Sequence, residues 1–231
     1  MKIPLTKYGW PQVAILPAIE LAAMILAMVA WPKSQPLWGL ILVELLLAAV
    51  LVWTFSFFRD PTRTVPADRN LLLAPADGKV TDIEVVDENG FIGGAALRIG
   101  IFLSIFDVHI NRAPCNAKIE NTTYKPGRYT NAMNPVSGRV NESNDLGLLR
   151  TDSPHDRLLV RQISGAIARR IVCRAAPGQD LAGGERFGMI KFGSRTELYL
   201  PSRENAKCLV RIGDKVKAGL SPLVRYEQCA D

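Results

Sequence analysis

Three residues have the types needed for nucleophilic chemistry: Ser194, His109 and Asp77. A serine hydroxyl is a weak nucleophile until a base takes its proton. The chain holds two histidines. His155 sits in the polar run "TDSPHDR" and reads as a solvent-exposed loop residue. His109 sits in "FDVHINRAP", between apolar runs, where a base can be sheltered. Asp77 heads the turn "APADGKV" and is the acid that could orient an imidazole. Sequence order alone does not bring the three together.

Ser194 raises a second point. It follows Gly193 inside "GMIKFGSRTELYLP", residues 188–201, which otherwise reads as a strand. A glycine there marks a bulge or a close backbone approach.

The elements that must position these residues are mostly strands. Alternating runs at 79–86, 96–104, 158–164, 170–175, 196–201 and 207–212 are separated by Gly, Pro, Asn and Asp. Between them, 121–135 ("NTTYKPGRYTNAMNP") reads as a polar loop carrying Lys125 and Arg128, a lid or a lipid-facing edge. "APADGKV" and "NPVSGRV" (134–140) echo each other, and "IGDKVKAGLSPL" (212–223) adds a third turn of this kind. The echo suggests a duplicated β-unit of barrel-sandwich type. The expected fold is mainly β (α+β), preceded by a membrane hairpin.

That hairpin occupies 1–58, ahead of a catalytic domain at 59–231. Residues 13–31 and 37–58 are apolar apart from Glu20 and Glu44, and each has about the 20 residues that a spanning helix needs. The short linker "PKSQP" makes the two antiparallel. Pro17 leaves a hairpin that only dips into one leaflet as the alternative. Lys2 and Lys7 precede the first segment, Lys33 alone lies in the linker, and Arg59, Arg63 and Arg69 follow the second. The positive-inside bias puts both ends in the cytoplasm, with the catalytic domain on the cytoplasmic side of the cell (inner) membrane.

The formal charge is +6, and most basic residues follow the hairpin. Such a domain is attracted to anionic lipid. Nucleic acid is not expected as a partner, because no aromatic-interleaved basic patch is present. The four cysteines form no C-x-x-C, so they read as free thiols and no metal is expected.

In order along the chain, "FFRDPTRTVP" (57–66), "APADGKV", "FDVHINRAP", "KFGSR" and "GDKVKAG" resemble the motifs of the short-form phosphatidylserine decarboxylase proenzymes. The resemblance spans nearly the whole chain. It implies that Ser194 attacks the Gly193 carbonyl. The precursor then splits into a large chain, 1–193, and a small chain, 194–231, which form a heterodimer. It also implies that Ser194 becomes a covalently bound pyruvoyl group, which forms a Schiff base with the substrate in place of pyridoxal phosphate. Phosphatidylserine would lose CO₂ to give phosphatidylethanolamine, with His109 and Asp77 as the proton-handling pair. Arg112 stands where longer family members carry a second histidine. Its planar fork suits a phosphate or carboxylate, or a structural ion pair. Arg59 and Arg63 are expected at headgroup depth, as substrate contacts or as anchors.

Two other readings have sequence support. "GDKVKAG" also resembles the turn of a biotinyl or lipoyl carrier, which would make the chain a membrane-anchored carrier or adaptor that is never cut. Lys191 could serve Ser194 as the base of a membrane peptidase, although three positions along a strand put the two side chains on opposite faces.

Overall fold

The computed structural model describes residues 4–130, 137–165, 170–191 and 194–227. It divides into two compact units, Met1–Pro61 and Thr62–Asp231.

In the first unit, α1 (Gln12–Ala30) and α2 (Leu37–Phe57) are the two apolar segments. Both are long and apolar enough to cross a membrane, and most of their large side chains are exposed. A protein surface in water rarely presents so many together, so the pair is compatible with membrane association. The Thr54 hydroxyl of α2 donates to Glu20 of α1 at 2.7 Å, which gives one carboxylate a partner on the facing helix. Beyond α2, Arg59 turns back and donates to the Ser56 carbonyl at 2.6 Å and the Ser56 hydroxyl at 2.8 Å. A cation there satisfies a carbonyl that the helix end leaves open.

The second unit is built from strands. In chain order they are β1 (Leu71–Leu73), β2 (Gly78–Glu88), β3 (Gly94–Leu103), β4 (Ile110–Arg112), β5 (Ala117–Lys125), β6 (Ser143–Arg150), β7 (Arg157–Ser164), β8 (Arg170–Cys173), β9 (Asp180–Leu181), β10 (Arg186–Lys191), β11 (Ser194–Pro201), β12 (Ala206–Cys208), β13 (Lys215–Val216) and β14 (Pro222–Tyr226). A helical turn, α3 (Ser137–Val140), precedes β6. One sheet of eight strands runs β13-β2-β3-β11-β7-β6-β5-β9, and two three-stranded sheets run β4-β10-β8 and β1-β14-β12.

Alternation gives the large sheet two different faces. Toward the core point Val80, Ile99, Ile101, Leu103, Leu146, Leu148, Leu158, Val160, Leu198 and Leu200, all with no exposed surface. The other face carries Asp82, Arg98, Asp145, Arg161, Arg195, Glu197 and Tyr199, joined across the strands by hydrogen bonds and ion pairs.

Two expectations change here. Residues 121–125 belong to β5, which pairs with β6, so only the following part of the expected polar loop leaves the sheet. Polar side chains such as Asn121, Thr122 and Thr123 conceal the alternation that marks a strand. The echoing turns also diverge, because "APADGKV" runs into β2 at Gly78 whereas 137–140 is helical.

Candidate active site

The run around Gly193 is not one strand. β10 ends at Lys191 in a three-stranded sheet, and β11 begins at Ser194 in the eight-stranded one. The chain therefore changes sheets immediately before Ser194. Gly193 lies outside the described residues.

Ser194 is fully buried between β3 and β7, opposite Leu103 and Ser164. The Ser164 amide donates to the Glu142 carbonyl at 2.9 Å, and its carbonyl accepts from the Asn141 side chain at 2.7 Å. The backbone groups of Ser164 thus point away from β11. Ser164 and Ser194 form the non-hydrogen-bonded kind of antiparallel pair, in which Cα atoms approach to about 4.5 Å. Neither hydroxyl oxygen has a hydrogen-bond partner among the described residues. A buried polar atom without a partner costs about 1–3 kcal/mol, so the cost falls on the residue type that is needed as a nucleophile.

Along this face of the sheet the apolar core gives way to amides and hydroxyls. Asn111 donates to the Thr196 hydroxyl at 3.0 Å and to the Pro75 carbonyl at 3.3 Å. Its own carbonyl oxygen accepts from Gln162 at 2.9 Å, and Gln162 in turn accepts from Asn144 at 3.1 Å. Asn111 thereby joins the aspartate, histidine and serine segments: Pro75 precedes Asp77 by two residues, Asn111 follows His109 by two, and Thr196 follows Ser194 by two. Sequence reasoning passed over Asn111 and Gln162. Their signal was an amide inside an otherwise apolar or charged strand.

His109 is completely buried. Its Nδ1 lies 2.9 Å from the Asp107 carbonyl oxygen. A carbonyl only accepts, so Nδ1 carries the proton and Nε2 is left as the basic nitrogen. Its main chain is tied to β10, where the Ile190 amide donates to the His109 carbonyl at 3.3 Å.

Asp77 lies at the same end of the large sheet. Gly78 begins β2 with φ +149, and a Cβ there would stand 2.1 Å from the Phe102 carbonyl oxygen, so only glycine fits. The register runs Lys79–Phe102–Arg195 across β2, β3 and β11. Two strand spacings, about 10 Å, therefore separate the β2 and β11 backbones. The Asp77 carboxylate accepts two bonds from Arg63, at 2.6 and 2.7 Å, and one from the Ala218 amide at 2.8 Å. Arg63 also donates to the Ala218 carbonyl at 2.6 Å. The structure thus places Arg63 on Asp77 in a bidentate pair, and sets the His109 ring on the Asp107 backbone.

Arg112 is buried, and it donates to the Gly184 carbonyl at 3.1 Å. Its Cδ would lie 3.1 Å from a Cβ at Gly219, so it packs on the turn that holds Asp77. Arg59 lies in the first unit, on Ser56. His155 is exposed, as its loop suggests. Lys191 is buried at the end of β10, paired with Arg170 of β8. Burial, followed by the charge of Arg170, pushes its ammonium below the usual lysine range.

On its far face, β11 is held tightly. Arg195 donates to Asp82 at 2.5 Å, to Thr81 at 2.8 Å and to Glu197 at 2.8 Å. Gly100 makes room for this, since a Cβ there would stand 2.1 Å from an Arg195 nitrogen. Burial raises the Asp82 carboxyl, but the Arg195 and Thr81 hydrogen bonds and the charges of Arg195 and Arg98 outweigh it, leaving it below the ordinary range. Asp145 is lowered in the same way, with Arg161 and Lys125 overcoming burial.

Residues 50–223 match the family model for phosphatidylserine decarboxylase. A phosphatidylserine decarboxylase proenzyme of Symbiobacterium thermophilum is 42% identical over 97% of this chain and 96% of its own length. The proenzymes of Rhodopirellula baltica and Nitrosomonas europaea are each 39% identical, over 98% and 96% of this chain and 90% and 95% of their own. With the serine, histidine and aspartate segments joined at one sheet end and this similarity over almost its full length, the chain belongs to the phosphatidylserine decarboxylase family.

Proposed function

We propose that this chain is a membrane-bound, self-processing decarboxylase that converts phosphatidylserine to phosphatidylethanolamine and CO₂. The observation that carries the reading is the buried Ser194 hydroxyl without a partner among the described residues, at the point where the chain passes between sheets.

In processing, His109 Nε2 takes the Ser194 proton and Oγ attacks the Gly193 carbonyl carbon. The Gly193–Ser194 C–N bond breaks, the nitrogen gains a proton, and an ester remains. Loss of the Ser194 Cα proton then breaks the Cβ–Oγ bond and leaves Gly193 as a carboxylate. Tautomerisation and hydrolysis of the remaining unsaturated residue release ammonia and give residue 194 as a pyruvoyl group. Bound there, the pyruvoyl group supplies an electron sink for the carbanion left by CO₂. Ser194 and its neighbours fit such a group. The site is buried, and Asn111 and Thr196 fix the strand beneath it. His109 is the group on hand to return a proton to the substrate carbon. The Arg63–Asp77 pair and Arg112 stiffen the adjoining turn, and Arg112, held by a neutral carbonyl, adds positive charge where an anionic headgroup is handled.

The fragments 1–193 and 194–231 form a heterodimer, with the hairpin in the inner membrane and the second unit on the cytoplasmic side. Intact mass spectrometry tests the core of this reading. Two fragments are expected, the smaller beginning with a pyruvoyl group, together with release of CO₂ from phosphatidylserine. A folded chain that stays whole would refute it.

A further inference from the structure

The residues that flank Ser194 at its sheet end include large apolar side chains in full view of solvent. Between the last residue of β3, Leu103, and His109 lies a tight turn. Asp107 closes it, accepting from the Ser104 amide at 2.8 Å through its carboxylate and donating its own amide to the Ser104 carbonyl at 2.9 Å. The same Asp107 holds the His109 ring through its backbone carbonyl. At the tip stands Phe106, 68% exposed. A turn closed by polar groups could carry any polar residue at its tip, and here it holds a phenylalanine out of the core.

The opposite flank has a similar character. The segment after β5 returns to the sheet at Arg128, whose amide donates to the Val140 carbonyl at 2.7 Å and whose carbonyl accepts from the Glu142 amide at 3.0 Å. The Glu142 carbonyl takes the amide of Ser164, the residue opposite Ser194. Arg128 is exposed there, with Tyr129 at 44% and Val140 at 36%. The end of β11 that begins with Ser194 is thus bordered on the β3 side by an exposed phenylalanine and on the β7 side by an exposed tyrosine, valine and arginine.

We propose that these two flanks form one lipid-contacting rim, with Phe106 entering the acyl region beside the substrate while Arg128 and Tyr129 rest among anionic headgroups. The proposal rests on the reading of the substrate as a bilayer lipid. A headgroup must reach a buried serine while its acyl chains stay out of water. An apolar side chain at this end of the sheet replaces the bilayer contacts that the lipid loses as it rises. Tyrosine and arginine are the side chains that an interface accommodates, one by its amphipathic ring and the other by charge.

The test uses the full chain reconstituted in vesicles of phosphatidylcholine and long-chain phosphatidylserine. Wild type must first show processing and turnover, so failure of the underlying function registers before any variant is made. Phe106→Ser should process normally by intact mass. Its kcat/KM on bilayer phosphatidylserine should fall about tenfold, while turnover of dihexanoyl phosphatidylserine dispersed as monomers stays within twofold. Phe106→Trp should keep bilayer activity. It should also add a fluorescence component that acyl-brominated lipid quenches and aqueous acrylamide does not. Should Phe106→Ser fail to process, Tyr129→Ser carries the same contrast from the other flank. An equal fall on both substrates would assign the turn to shaping the site and overturn the proposal. So would unchanged turnover on both, or an added indole signal in Phe106→Trp that only acrylamide quenches.

Discussion

The two faces of the eight-stranded sheet are made from the same strands and do opposite things. On β11, Ser194 and Thr196 face inward and Arg195, Glu197 and Tyr199 face outward. The outward residues form a ladder. Arg195 holds Asp82 and Glu197, Tyr199 donates to Glu197 at 2.5 Å and accepts from Arg161 at 3.1 Å, and Arg161 grips Asp145 at 2.6 and 2.9 Å. The inward face is apolar until its end, where a few amides and hydroxyls take over and two hydroxyls are left without partners among the described residues. One face immobilises the strand, and the other leaves reactive groups uncommitted. The proposed attack of Ser194 on its own backbone needs both, because a loose strand would lose the geometry and a satisfied hydroxyl would lose its reactivity.

Removing the reactive group should have the largest effect. Ser194→Ala should abolish both processing and decarboxylation, by more than about 1,000-fold, on the scale of losing a nucleophile. Its melting temperature should be unchanged or slightly higher, since an unsatisfied hydroxyl disappears. A large loss of stability would show that Ser194 is structural.

Asn111→Leu keeps the branched shape of the side chain but strands Thr196, Gln162 and the Pro75 carbonyl. Processing should slow by about 100-fold, with a stability cost of about 2 kcal/mol for the groups left unpaired. Time-resolved gels and denaturant unfolding separate the two effects. On the other face the balance should reverse. Arg195→Met leaves Asp82 and Glu197 buried with less compensation, costing about 3 kcal/mol, while processing slows less than in Asn111→Leu.

The smallest effect is in acid. Asp82 and Asp145 have carboxyls lowered in the folded state by their arginine partners, against the pull of burial. Their contribution to stability is complete above the unfolded value of about 3.9 and is lost as pH falls through the lower folded values. Unfolding midpoints measured between about pH 7 and pH 3 should therefore drop mainly below about pH 4. In Asp82→Asn that drop should be shallower, from a lower starting stability.

Much of this was legible in the residues. Strands such as β2, β3 and β7 show their alternation because one side is plainly apolar. The positions of Ser194, His109 and Asp77 stood out by residue type. β5 did not, since its outward side chains and several inward ones are polar. Nor did the ladder, because Arg195, Asp82, Arg161 and Asp145 look like surface charges until pairing sets them side by side. Arg63 read as a headgroup residue from its nearness to the apolar segment, whereas its fork meets Asp77, and only folding makes that contact visible.

The distribution of strands around residue 194 has a consequence for the processed protein. A chain cut after Gly193 yields a short fragment whose β11 lies between β3 and β7, whose β13 lies against β2, and whose β14 lies against β1. Each of those neighbours belongs to the long fragment. The pieces are interleaved, so neither can be withdrawn without dismantling a sheet. Dilution should then have no hold on the assembly, and subunit exchange between molecules should be absent on any timescale short of unfolding. The cell would inherit two polypeptides that age, turn over and fail as a single object.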